Sequence, residues 1–313
     1  MEYVRLGRSA LVSSVIGLGG GSSGRFGLTK GGTRSDALKL IRSALDLGIT
    51  FFDGAGVSGG VDELLRDGLS GSREDVLLST KVHLGPDPFF LSDAPRANQA
   101  LSWMARRFGL VCSASTLRAR VERTLKALRT DRIDVLQLHA VTLRQYPIAA
   151  ARSVPLLLKM KEEGKLRAIG ITEAFLRDPG HGMLREAVGN ASIDSVMVGF
   201  NFRNASAADL VLPAAKSAGI GVIGMFAMRG LGGPDKQLNE IIADAGAGRL
   251  AELAYRYCRH QPGMGVVLTG TGNPEHLRQN VEATLSPPLP HFILQRLKPW
   301  ADQQFQAEVS SRK

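Results

Sequence analysis

The chain predicts an α/β fold: a (β/α)8 TIM barrel with an N-terminal β-hairpin cap and an additional C-terminal helix. Three observations carry this reading. First, short apolar, β-rich runs alternate with longer helical patterns along the sequence. Eight such runs can be marked, and eight β-then-α units at this spacing favour a closed barrel over an open sheet. Second, the dinucleotide-binding open sheet carries a G-x-G-x-x-G after its first strand and an acidic residue about 20 positions on; the glycine-rich run from Gly17 is a lone Gly-rich loop, which is weak evidence for that sheet. Third, 313 residues suit one such barrel, and no linker-like stretch divides them. Residues 1–313 are therefore expected to form a single barrel domain.

The elements follow in order. A hairpin, roughly Tyr3–Leu6 with Ala10–Val12, is expected to cap the bottom of the barrel. The strands are expected at Val15–Leu18, Thr50–Asp53, Val76–Val82, Ile133–His139, Ala168–Thr172, Ser195–Phe200, Gly221–Met225 and Val266–Thr269. Helical patterns separate them at Ser35–Leu47, Ser115–Leu128, Val154–Glu163, Leu176–Val188, Ser206–Ser217, Arg249–Arg259 and Pro274–Ala283. Ser35 before Asp36 reads as the first cap, and Gly48 as the stop of the same helix. The stretch His83–Ser113 is too long for a plain connection. It holds prolines and a helical pattern at Arg96–Phe108 with Trp103, and reads as a lid or substrate loop. After Pro287-Pro288 one more helix is expected around Phe292–Phe305.

Composition narrows the function classes. Hydrophobic residues make up 44% and charged residues 22%, a globular balance. Glu2, Arg5 and Arg8 break up the N-terminal apolar run, unlike a signal peptide. No apolar run approaches the roughly 20 residues a membrane span needs. The two cysteines, Cys112 and Cys258, form no CxxC or Cys/His cluster, so neither a metal site nor a disulfide is expected. Reduced thiols fit a cytoplasmic protein. The net charge of +10 is spread along the chain; Arg118–Arg123, for instance, includes Glu122. Aromatics, at 6%, do not interleave with the basic residues as a nucleic-acid surface requires. An anionic cofactor or small-molecule substrate accounts for the charge better than nucleic acid or a membrane. Oligomeric state leaves no mark in the sequence.

Barrel strands present reactive side chains at their C-terminal ends. Three expected strands end in ionisable residues: Asp53 in FFD, Lys81 in LLSTKV and His139 in IDVLQLHA. A lysine beside a carboxylate stays charged, and a neutral imidazole donates a hydrogen bond to a carbonyl oxygen. Such a set stabilises an oxyanion formed by hydride addition. A buried salt bridge beside a hydrogen-bonded core histidine is the plainer alternative for each residue alone.

The order F-D-x-A (Phe52–Ala55), S-T-K (Ser79–Lys81), I-D-x-x-Q-L-H (Ile133–His139), GKLRAIGIT (Gly164–Thr172) and TGTGNPEHLRQNVEA (Thr269–Ala283) resembles the aldo-keto reductases. The opening VRLGRSALVSSVIGLGGG is also similar to that family's start. The resemblance implies the same barrel and a nicotinamide cofactor, NADP(H) with NAD(H) as the alternative, bound across the barrel mouth. It implies Asp53, Lys81 and His139 as catalytic residues. Ser58 stands where the family has its proton-donating tyrosine, and Gly54 where it has threonine. Thr172 and Glu173 fall where the family's Ser-Asn holds the carboxamide, and Met197 falls where it has glutamine. Met225, Phe226 and Met228 lie in the segment that packs on the nicotinamide. Gly270, Thr271, His276, Gln279 and Asn280 match positions around the adenosine phosphate and adenine.

A serine hydroxyl is a poor general acid at neutral pH, and losing a positioned acid costs about 100- to 10,000-fold. His139, Tyr146 and His83 are the groups that could substitute. The expected activity is an NADP(H)-linked oxidoreductase acting on a small carbonyl or alcohol. The alternatives are a lyase- or dehydratase-like barrel using Lys81 and His139 without net redox, and a non-catalytic cofactor-binding sensor.

Overall fold

The computed structural model describes residues 1–21, 24–56, 60–85, 103–104 and 107–311. Ser58 and most of the helix expected at Arg96–Phe108 lie outside these residues.

An antiparallel hairpin opens the chain, with β1 (Tyr3–Arg5) on β2 (Val12–Ser14) in the register Tyr3↔Ser14 and Arg5↔Val12. The barrel strands are β3 (Ile16–Gly19), β4 (Phe51–Asp53), β5 (Leu77–His83), β6 (Ile133–Val141), β7 (Leu166–Glu173), β8 (Ser195–Gly199), β9 (Gly221–Met225) and β10 (Val266–Thr269). Among the described residues they close in the order β10-β3-β4-β5-β6-β7-β8-β9, all pairs parallel. The helices outside include α1 (Arg34–Asp46), α2 (Val61–Gly68), α3 (Ala114–Leu128), α4 (Val154–Glu162), α5 (Gly182–Ala187), α6 (Leu212–Ser217), α7 (Lys236–Asp244), α8 (Leu250–Arg259), α9 (Pro274–Leu285) and α10 (His291–Ser311). The expected barrel, hairpin and final helix are therefore present.

Strand periodicity explains the two cores. Parallel barrel strands are covered on both faces, so both sets of alternate residues are apolar or engaged. Phe52, Leu78, Leu136, Ile169 and Val196 pack outward with helix residues such as Leu40, Leu64 and Leu117. The alternate set, including Phe51, Leu77, Val135, Ala168, Met197 and Ile223, forms a separate interior cluster with Leu6 and Leu11 from the hairpin. Leu6 sits directly over Gly221, where an added Cβ would lie 2.6 Å from its Cγ. The hairpin thus plugs the N-terminal end of the barrel and leaves the C-terminal end as the mouth.

Some boundaries differ from expectation for local reasons. Thr33, not Ser35, caps α1. Its hydroxyl accepts from the Asp36 N–H at 3.2 Å, and Asp36 accepts back from the Thr33 N–H at 3.0 Å. This capping box needs three-residue spacing, which Ser35-Asp36 does not have. The pattern at Leu176–Val188 breaks in two. Asp178 accepts from the Gly182 and Met183 amides and starts α5 only after Pro179-Gly180. Pro213 has no N–H to give and sits in the first turn of α6, so Ser206–Ser217 also divides. Two helices were not marked in the sequence, α2 and α7; the latter is capped by Asp235 on the Leu238 N–H at 2.8 Å. Among the described residues no helix is long and apolar enough to cross a membrane, and no His/Cys/Asp/Glu group is arranged to hold a metal.

Candidate active site

Alternation along β4, β5 and β6 brings Asp53, Lys81 and His139 to the mouth. The Lys81 ammonium donates to Asp53 Oδ2 at 2.5 Å and to the Gly54 carbonyl at 2.6 Å. Asp53 Oδ1 accepts from the Ser79 hydroxyl at 2.9 Å. Both charged groups are buried, Lys81 at 8% and Asp53 at 3% exposure, so each depends on the other to offset its lost hydration. Both aspartate oxygens are engaged, and the lysine nitrogen is anchored on two acceptors.

His139 lies one strand further round. Its Nδ1 is 3.3 Å from the Thr172 hydroxyl, which itself accepts from the Ala140 N–H at 2.7 Å. The hydroxyl can give its own proton to Nδ1 or accept a second one from it, so this contact serves either tautomer of the ring. Just beyond His139 the β6–β7 register shifts between Leu138 and Val141, and Ala140 adopts φ +50°. A bulge at the end of a barrel strand re-aims the side chain beside it. His83, the register partner of His139 on β5, stands edge-on to it, with ring centroids 4.6 Å apart.

Behind this centre lies Asp62, on α2 and fully buried. It accepts from the Ala55 N–H at 3.2 Å and from the Thr80 hydroxyl at 2.9 Å. Burial pushes its carboxyl up to about 6, against the opposing pull of those hydrogen bonds and of Lys81. The carboxylate occupies the space a side chain at position 54 would need: a Cβ on Gly54 would lie 2.2 Å from Asp62 Oδ1. Gly54 is therefore matched to Asp62.

Glu173 has a different setting from the one the resemblance implies. Its Oε1 accepts from the Gly199 N–H at 2.7 Å, and its Oε2 meets His181 Nδ1 at 2.9 Å. His181 Nε2 continues to the Ser206 hydroxyl at 3.1 Å, which donates to Asn204 Oδ1 at 2.6 Å. Burial raises the Glu173 pKa, countered by His181 and Gly199. Both carboxylate oxygens are thus engaged in tying the ends of β7 and β8 to the loops before α5 and α6. Met197 sits in the interior apolar cluster, 1% exposed. Tyr146, considered as a substitute acid, packs in the main core.

Met225, Phe226 and Met228 leave β9 at the mouth. Phe226 has φ +73°, its ring lies 5.8 Å from that of Phe175, and the Arg229 guanidinium stands 4.5 Å above it. Met228 is exposed. Gly270, Thr271, His276, Gln279 and Asn280 gather where β10 turns into α9, on the far side of β3 from Asp53. Asn280 donates to Thr269 Oγ1 at 2.9 Å and accepts from Arg249 at 3.4 Å, while Gln279 donates to Glu275 at 2.8 Å. Of the expected residues, Asp53, Lys81, His139 and Thr172 lie in a polar centre on β4–β7, Met225, Phe226 and Met228 at an edge after β9, and Gly270 to Asn280 around the turn after β10; Met197 lies apart in the apolar interior.

Several participants were not singled out from the sequence. Ser79 stands two residues before Lys81, so strand periodicity alone could have found it. Asp62, His181, Ser206 and Arg249 reach their partners through tertiary contacts that leave no local signal. Chemically, the centre offers a fixed ammonium and an imidazole at one mouth, a set able to polarise a carbonyl or stabilise an alkoxide.

Comparison with known proteins adds the family. The model described as the aldo/keto reductase family matches residues 15–233. L-galactose dehydrogenase of Arabidopsis thaliana is 28% identical over 228 residues, covering 71% of this chain and 64% of that protein, so the chain spans less than two thirds of that relative's length. The uncharacterized oxidoreductase YqkF of Bacillus subtilis is 23% identical over 312 residues, covering 90% of this chain and 91% of its own. The holo form of aldo-keto reductase AKR11C1 from Bacillus halodurans shares the fold, with a TM-score of 0.74 at 23% identity over 96% of each chain. The match at residues 15–233 includes the strands that carry Asp53, Lys81, His139 and Thr172, and on it the chain belongs to the aldo/keto reductase family.

Proposed function

We propose that the chain is an NADP(H)-linked oxidoreductase acting on a small carbonyl or alcohol, with altered proton-donor chemistry. The observation that carries this reading is the buried Asp53–Lys81 pair beside His139 at successive strand ends. At the adenosine end, Thr271 in the turn after β10 and Arg249 beside Asn280 are the groups suited to an anionic nucleotide; Gln279 is held by Glu275 and Asn280 by Thr269, so each must exchange a partner to bind it. At the nicotinamide end the fit is looser, because Glu173 is engaged by His181 and Gly199. The cofactor, when bound, supplies the hydride.

The chain's own residues do the rest. Asp53 keeps Lys81 charged and fixed. Lys81 and His139 lower the energy of the alkoxide that develops on the carbonyl oxygen. The proton that a phenol at position 58 would have given comes from His139 in its doubly protonated form, which returns to neutral imidazole, or from a water beside it. Apolar groups at the rim, including Leu143, Leu176 and Met228, favour a substrate with an apolar part.

Quenching of tryptophan fluorescence by NADPH or NADH tests the reading. Saturable binding followed by turnover with a panel of aldehydes is the expected result. No binding of either nucleotide at millimolar concentration refutes it. The engaged Glu173 favours a second reading, a barrel that works without net redox or only senses the cofactor. Binding without turnover selects the sensor, and conversion of substrate without a change in nucleotide absorbance selects the non-redox enzyme.

A further inference from the structure

The barrel interior holds polar atoms that neither the core nor the proposed chemistry uses. Gln137 is 0% exposed, and neither its Oε1 nor its Nε2 has a partner among the described residues. The Ser195 hydroxyl, also 0% exposed, has none either. Strand register sets both in one row: Lys81↔Gln137, Gln137↔Gly170, Gly170↔Ser195 and Ser195↔Gly221. Gln137 leans over Gly170, where an added Cβ would lie 2.2 Å from its Oε1 and 2.7 Å from its Nε2. Lys81, on its other side, leans away toward Asp53 and Gly54 on β4. Two neighbouring side chains thus diverge, and the row has glycine on both sides of Ser195.

An orphaned buried amide or hydroxyl costs about 1–3 kcal/mol, and native interiors avoid this by placing water between such groups. Gln137 and Ser195 flank the same glycine yet make no hydrogen bond to each other. Two polar groups too far apart for direct contact, in a polar, side-chain-poor layer, are the setting that holds an ordered internal water. At its far end the row reaches Gly221, which lies against Leu6 of the hairpin, and Met197, two residues on from Ser195, belongs to the interior apolar cluster, so the row runs from beneath His139 down to the plug.

We propose that Gln137 and Ser195 are the ligands of an internal water site, one water molecule bridging the Gln137 amide and the Ser195 hydroxyl across Gly170. This site lies one strand layer beneath His139 and on the side of Lys81 away from Asp53. Gly170 is its floor: a side chain there would displace the amide.

The proposal is independent of the reductase reading, because it is tested on the folded protein without cofactor or substrate. A high-resolution crystal structure of the full chain is expected to show one water within hydrogen-bonding distance of both Gln137 and Ser195. Oxygen-17 relaxation dispersion is expected to count one fewer long-lived water in the Gln137→Met, Ser195→Ala double variant than in the parent. A direct Gln137–Ser195 hydrogen bond with no water between them overturns the proposal. So does an unchanged count of long-lived waters in a folded double variant. If the double variant does not fold, the parent crystal structure alone decides.

Discussion

Replacing Asp62 by asparagine probes the burial behind the catalytic pair. Asp62 is fully buried, and its carboxyl is pushed from 3.8 up to about 6, first by loss of hydration. The folded pKa lies above the unfolded one, so the folded state binds the proton more tightly. The stability this contributes is complete below about pH 3.8 and is lost as pH rises through about 6. A shift of roughly 2 units at about 1.4 kcal/mol each makes the loss about 3 kcal/mol. Asparagine does not titrate and keeps an oxygen for the Ala55 N–H, but it gives up the bond from the Thr80 hydroxyl, worth about 1 kcal/mol. Asp62→Asn should therefore be slightly less stable than the parent near pH 4 and more stable, by about 2 kcal/mol, near pH 7.5. Urea unfolding of both proteins at half-unit steps between these limits gives the difference, and other titrations largely cancel in it. Parallel stability curves, or a parent that gains on the variant as pH rises, would refute the argument that Asp62 is charged at a cost.

Other perturbations follow from the same geometry. Lys81→Met leaves Asp53 buried and unpaired and should cost about 3–5 kcal/mol, while Asp53→Asn with Lys81→Met should recover part of that loss in denaturant melts. Gly54→Thr should destabilise by about 1–3 kcal/mol, because its Cβ enters the space of the Asp62 carboxylate; adding Asp62→Ala should cost less than the two changes summed. Glu173→Ala strips His181 of its carboxylate partner and should lower stability by about 1–3 kcal/mol, with faster amide exchange at Gly199 read by NMR. Gly221→Ala should be destabilising alone and better tolerated with Leu6→Ala, which removes the side chain it strikes.

The barrel was legible because its strands are long apolar runs with both faces buried, and because glycines mark several turns between units. Boundaries failed where a side chain outvotes periodicity, as at Asp178 and Pro213. Helix α2 is hard to read because, although Val61, Leu64 and Leu65 share a buried face, it is only eight residues long and opens at Gly60 with no side-chain cap. In the site, Asp53, Lys81 and His139 were visible as ionisable groups at strand ends, a position that is informative in any barrel. Glu173 was visible as a departure but not as a partner of His181, which reaches it from a loop in a left-handed conformation at φ +58°. Asp62 was invisible because the match depends on the missing side chain of Gly54, and no local pattern announces an absence.

The hairpin plug has a consequence for how this chain can change. Leu6 and Leu11 seal one end of the barrel with an apolar layer drawn from most of the strands. Reactivity is at the opposite end. Substitutions at the rim, including those that set Ser58, Glu173 and Phe226 in place, therefore draw little on the layer that holds the strands together. A molecule divided in this way along its axis can trade one chemistry for another at the rim while its foundation stays fixed. The same division makes the first fourteen residues a structural keystone: cutting them away should open a greasy well in the floor and make the chain prone to aggregate.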